Sequence, residues 1–144
     1  MTKMNECKPI NTVYGYLCGR DAIYLDEISC DYRNGSVRLT GQFNGNLFSR
    51  KIVDDFIDYV LDFTGIYILR MTELDLSYEL VNSKFEDSSF FEIMNSELLD
   101  HAEKVRNIKL RHFILQTYDD VFEIVCKDYK LCIRDSLQQS SSMD

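Results

Sequence analysis

The sequence predicts an α+β fold: a largely antiparallel β-sheet carrying two α-helices in a single domain. Three observations predict it. Several short apolar runs alternate with period two, as in strands with one wet face. The pair Asn34-Gly35 joins two such runs, and Asn-Gly is the turn chemistry of a β-hairpin. Between Arg50 and Phe63 the apolar residues recur three and four apart, as on a helix. The chain has 144 residues, 45% of them hydrophobic and 12% aromatic, enough to build one core of ordinary domain size. One proline and six glycines exclude collagen-like and low-complexity classes.

In chain order, residues 1–11 read as a loose polar start. Val13 to Cys18 is a short strand candidate, and Ala22 to Asp31 a longer one. After Asn34-Gly35, whose turn positions both ask for positive φ, Val37 to Phe43 is the return strand. Val37, Leu39 and Phe43 share its inner face. Ser49 is placed to cap a helix over Arg50 to Phe63. Ile52, Val53, Phe56, Ile57, Tyr59, Val60 and Phe63 would form its apolar side. Asp54, Asp58 and Asp62 would lie four apart in one row, at some electrostatic cost.

Ile66 to Leu80 reads as extended. Thr72, Leu74, Leu76, Tyr78 and Leu80 point one way, and Glu73, Asp75, Ser77 and Glu79 the other. Asn82 to Ser89 is a polar loop. Ser89-Phe90-Phe91-Glu92 has capping-box spacing and opens a second helix to about Lys104, with a break near Asn95-Ser96. Leu110 to Thr117, Val121 to Cys126 and Tyr129 to Arg134 read as a three-stranded meander. The domain is expected over residues 1–134, with a frayed Ser- and Gln-rich tail over 135–144.

Charge is unevenly spread. The formal net charge is −8. Residues 54 to 103 hold thirteen acids and two bases, while the remainder holds eleven acids and fourteen bases. No concentrated basic run offers nucleic acid a counterion-releasing stripe, so no nucleic-acid partner is expected. No apolar run reaches the roughly 18 residues of a membrane span. Met1 to Ile10 has lysines but no apolar h-region, so no secretion signal is expected. Five cysteines with no CxxC pair suit a reducing cytoplasm and give no zinc-site spacing. Cys18, Cys30 and Cys132 are expected as small buried hydrophobes.

Catalytic motifs are missing: there is no GxGxxG, P-loop, GxSxG or HExxH. His101 falls late in the second helix, where a partial positive charge suits the helix dipole. His112, with Asp119, Asp120 or Glu123 across a hairpin, is the one candidate general base. No cofactor or metal is implied. Asp54, Asp55, Asp58 and Asp62 with Glu73, Asp75 and Glu79 are the candidate contacts for a basic protein partner.

The stretch His112 to Val125 (HFILQTYDDVFEIV) is similar to a block found in small bacterial proteins of unassigned function. In size, acidity and absence of catalytic motifs, the chain resembles the immunity proteins of bacterial polymorphic-toxin and contact-dependent inhibition systems. That resemblance implies a small cytoplasmic inhibitor that occludes a basic, nuclease-type toxin domain. It assigns no role to any single residue. The alternatives are a small enzyme using His112 and a carboxylate, and a homo-oligomeric structural protein.

Overall fold

The computed structural model describes residues 6–50, 55–76 and 88–134. The fold is mostly antiparallel β-sheet with one α-helix among the described residues. Among the described residues there are nine strands: β1 (Cys7–Pro9), β2 (Ile23–Asp31), β3 (Ser36–Asn44), β4 (Phe56–Thr64), β5 (Ile68–Glu73), β6 (Phe90–Ile93), β7 (Arg111–Gln116), β8 (Asp120–Cys126) and β9 (Asp128–Arg134). The helix, α1, spans Glu97–Arg106, and short 3-10 turns sit at Gly45–Leu47 and Leu74–Leu76. One sheet has the order β1-β6-β7-β8-β5 and the other β2-β3-β4-β9, with every pairing antiparallel.

The two sheets pack face to face. Leu39, Phe43, Tyr59, Leu61 and Phe63 of the smaller sheet share one apolar cluster with Phe90, Phe113, Leu115, Phe122 and Ile124 of the larger. Strand alternation makes this possible, because β3 and β4 send every second residue inward. β7 and β8 are buried on both faces. The outer face of their sheet is therefore covered too. Leu98, Leu99 and Ala102 of α1 pack there with Val125, Leu110 and Ile68. Ser96 caps α1 by accepting the Leu99 N–H at 2.9 Å, and Asn107 ends it in the left-handed conformation.

Several expectations change. The helix expected over Arg50 to Phe63 is strand β4 from Phe56 onward, with Ile57, Tyr59, Leu61 and Phe63 facing the core. Packing against the second sheet selects period two, and Leu61, buried, breaks the helical pattern. Lys51 to Asp54 lie outside the described residues. The second helix does not begin at Ser89. Phe90–Ile93 is a buried central strand, because both its faces are covered, and the helix starts at the expected break.

The meander is incomplete: β7 and β8 pair, but β9 leaves for β4 in the other sheet. The corner is held by the Lys127 N–H, which donates to the carbonyls of Thr64 and Gly65 at 3.0 and 3.1 Å. Val13 to Cys18 makes isolated bridges, Thr12 to Gly15 and Leu17 to Phe48, and no strand. In the hairpin only Gly35 takes positive φ. Its loop has four residues, and the Asp31 carboxylate accepts from the Asn34 backbone and side-chain N–H groups, which removes the demand on Asn34. The extended run from Ile66 stops at Glu73 and turns at Leu74–Leu76, leaving Leu76 exposed; Ser77 to Leu80 lie outside the described residues.

Gly41 is fixed by close approach. A Cβ there would overlap the carbonyl of Tyr24, beside the bulge that β2 makes between Leu25 and Glu27. The Tyr59 hydroxyl donates to that same carbonyl at 3.0 Å, so the carbonyl cannot move aside freely. Gly41→Ala is expected to lower stability by about 3 kcal/mol in chemical denaturation. A loss below about 1 kcal/mol would show that β2 yields.

Candidate functional site

The expected acidic contacts do not gather on one surface. Asp58 and Asp62 point outward from the smaller sheet, on the opposite face from its core residues. Asp62 is held in a two-point ion pair by Arg38 at 2.7 and 3.0 Å, with Lys130 across from it on β9. Asp58 accepts from Gln42 at 3.1 Å and faces Arg134. Asp58 and Asp62 are therefore each matched by a neighbouring base. Asp55 takes positive φ, and its carbonyl accepts the Gly45 N–H. Glu73 and Asp75 belong to the other sheet, at the end of β5, where the Asp75 N–H donates to Glu73 at 3.0 Å. Asp54 and Glu79 lie outside the described residues.

A different surface brings charge and apolar area together. β2 and β5 are end strands of the two sheets, and backbone hydrogen bonds near their ends bring them to one side of the sandwich. They are tied there at both ends. At one end the β7–β8 turn bridges them, its Tyr118 N–H donating to the Ile23 carbonyl and its Asp119 carbonyl accepting the Leu74 N–H, both at 2.9 Å; at the other the Ile66 N–H donates to the Gly35 carbonyl at 3.0 Å. Between these ties the inward-pointing residues have too little opposite them. Register sets Ile28 beside core Leu39, and Leu69 and Met71 beside core Ile124 and Phe122. Yet Ile28 is 41% exposed, Leu69 36% and Met71 60%.

Carboxylates border this strip. Asp26, Glu27 and Asp31 lie along β2, and Glu73, Asp75, Asp119 and Asp120 lie around the far end of β5. The Asp120 carboxyl is held above the usual carboxylate range, first by partial burial and then by the charges of Asp119 and Glu73. A cation placed there would relieve that repulsion. Among the described residues Arg70 is engaged by Glu123, and Arg20 lies over the Tyr118 ring at 4.6 Å. Sequence reasoning found the carboxylates Glu73 and Asp75. It missed Ile28, Leu69 and Met71, because an inward residue on an end strand looks like core.

His112 is buried, 2% exposed, on the outer face of the larger sheet beneath α1. Of its three candidate carboxylates the fold selects Glu123, whose Oε2 lies 2.9 Å from Nε2. Nδ1 lies 2.7 Å from Ser96 Oγ, and the other oxygen of Glu123 takes Arg70. Ser96, missed in the sequence, links the chain to the helix. A neutral imidazole satisfies every member: Ser96 O–H donates to Nδ1, Nε2–H donates to Glu123, and Ser96 Oγ still accepts the Leu99 N–H. Hydroxyl, imidazole and carboxylate stand in the order found in hydrolases. Here, though, the imidazole is buried beneath α1, the hydroxyl caps that helix, and none of the three lines the clefts beside β9 or over β3 and β4. The chain joins helix to sheet.

Thiol chemistry is also limited. Cys126 is the buried cysteine, and burial pushes its thiol up to about 12. Contrary to expectation, Cys30 and Cys132 are exposed and Cys18 is half-buried, because they lie on end strands or loops with one open side. Among the described residues no cluster of His, Cys, Asp or Glu could hold a metal ion, and no helix is long and apolar enough to cross a membrane. Comparison of the chain with protein-family models, curated proteins and solved structures gives no match.

The buried chain yields a pH prediction. Burial by itself would raise the Glu123 carboxyl, but the hydrogen bond from His112 and the charge and hydrogen bond of Arg70 hold it below its usual value. A carboxylate with a depressed folded value contributes stability above its unfolded value, near 4.3, that is lost as the pH falls through the folded one. Glu123→Gln should be less stable than the parent at pH 7, and its loss of stability below about pH 4.3 should be shallower. Parallel acid-denaturation curves would refute this assignment. His112→Ala should cost about 3 kcal/mol, by leaving Glu123 and Ser96 short of a partner.

Proposed function

We propose that this chain is a binding protein that neutralises a basic partner. In its specific form it is an immunity protein that blocks a cognate bacterial toxin domain of the nuclease type in the cytoplasm. One observation carries it: the exposed apolar strip of Ile28, Leu69 and Met71, bordered by carboxylates along β2 and at the end of β5. Protein interfaces combine a desolvated apolar centre with a polar rim, and the centre holds most of the binding energy. The net charge of −8 speeds encounter with a basic surface. Carboxylates take the place of nucleic-acid phosphates before the partner's Lys and Arg. Activity is blocked by occupation of the partner's cleft, which requires no chemistry from this chain.

The revised contact set keeps Glu73 and Asp75. It adds Asp26, Glu27 and Asp31 and the three apolar anchors. Asp58 and Asp62, already balanced by Arg38, Lys130 and Arg134, drop to a minor role in encounter. A His112-centred enzyme draws support only from the order of its buried groups, and a substrate would have to displace the helix cap to reach them.

The test is affinity capture from the source cell, followed by binding kinetics of variants. A basic protein should be retained in stoichiometric amount. Glu73→Lys with Asp75→Lys should slow association several-fold at low salt and little at high salt, as expected for exposed charges. Met71→Ser should speed dissociation about tenfold or more, with little effect on association. Unchanged kinetics in all of these variants would remove this side of the sandwich from the interface.

A further inference from the structure

The opposite side of the sandwich carries a second surface. β9 ends the smaller sheet, and among the described residues its only strand partner is β4. It has no proline and no register shift, and of the usual devices that blunt an edge it carries only the charges Asp128, Lys130 and Arg134. Its inward residues, Tyr129, Leu131 and Ile133, are half-buried. With Val13 they line an open cleft of about 710 Å³ along that edge. Arg111, at the cleft, is already engaged by Glu92 at 2.7 and 2.8 Å and by Asp128 at 2.9 Å. The cleft is thus of mixed lining, with Asn11 and Thr12 beside the apolar side chains and its one cation, Arg111, already engaged.

We propose that two copies of this chain pair antiparallel along β9, across a two-fold axis at Leu131, and join their smaller sheets into one of eight strands. The strand is complementary to itself in that register. Asp128 falls opposite Arg134 of the second copy, Tyr129 opposite Ile133, Lys130 opposite Cys132, and Leu131 opposite Leu131. Apolar residues meet on the inner face, and at both ends Arg134 meets Asp128, an exposed carboxylate that also accepts from Arg111 of its own chain. The outer row then alternates in sign, since Arg134 already faces Asp58 on β4 and would face Asp128 on the other side.

Charge also rejects the neighbouring same-face registers. An axis at Lys130 sets Lys130 against Lys130, and one at Cys132 sets Lys130 against Arg134; like charges directly opposed are destabilising. A two-fold contact of this kind uses the same patch on both copies and closes at two. Seven-residue edge pairing buries less than the roughly 1,600 Å² of a standard interface, so the dimer should dissociate on dilution. The β2–β5 side stays open in this arrangement, and the proposal does not depend on the proposed function.

Sedimentation equilibrium over a wide concentration range should show mass rising from 16.9 kDa to twice that value. Arg134→Glu should weaken the dimer about tenfold or more and, because it also faces Asp58 on β4, lower the thermal midpoint of the monomer slightly, whereas Arg134→Lys should keep both the dimer and the midpoint. Lys130→Cys should give a covalent dimer on mild oxidation, with peptide mapping placing the bond between Cys132 and the introduced thiol of the other copy. A single-chain mass up to millimolar concentration overturns the proposal. So does a dimer indifferent to Arg134→Glu, a crosslink mapped only to Cys30, or protection of β9 amides seen only when a different protein is added.

Discussion

The structure depends on the closing of two sheets over one aromatic interior. Phe63 of β4 meets Phe113 of β7 with ring centres 5.6 Å apart, and Tyr129 of β9 meets Phe113 at 5.0 Å and Phe90 at 5.8 Å. Four strands from two sheets thus converge on one cluster, and edge-to-face contacts of this kind add to the burial itself. Arg111 lies over the rings of Phe113 and Tyr129, at 5.1 and 5.2 Å, and Glu92 and Asp128 hold it in place. The chain reaches this arrangement by changing sheets at Gly65 and Lys127, where backbone bonds replace a strand ladder.

The closure is incomplete, and both surfaces of interest follow from that. A sandwich of five and four strands is dense in the middle and open at its sides. Inward positions at the sides are apolar because alternation makes them so, yet nothing stands opposite. Hence Ile28, Leu69 and Met71 are exposed at one side, and Leu131 and Ile133 line a cleft at the other. The charge distribution separates the two. One side is bordered by more carboxylates than bases and suits a basic protein. The other alternates in sign and suits itself.

The sequence made part of this legible. The β2–β3 hairpin was readable from Asn34-Gly35 and from Val37, Leu39 and Phe43, and β7 and β8 from their apolar runs. β4 was misread for a specific reason. Residues four apart share a face on a helix and on a strand alike, so Asp58 and Asp62 fit both. With Phe56 and Val60 also apolar on the outward face, only Leu61 spoke clearly for a strand. β6 carries no period at all, because all four of its residues are buried. The Glu123–His112–Ser96 chain was half visible. Glu123 was among the candidate partners, but Ser96 was hidden by the misplaced helix start. Whether an inward apolar residue is covered depends on what the opposite sheet places there, which no local pattern encodes.

The central claim is that the β2–β5 side is the working surface and the His112 chain a support. Hydrogen exchange of the chain, free and bound to the captured basic partner, tests it most directly. The account predicts new protection of amides in β2 and β5, with α1 and β7 unchanged. Protection confined to the outward face of β4, or opening of α1 around Ser96 and His112 on binding, would contradict it.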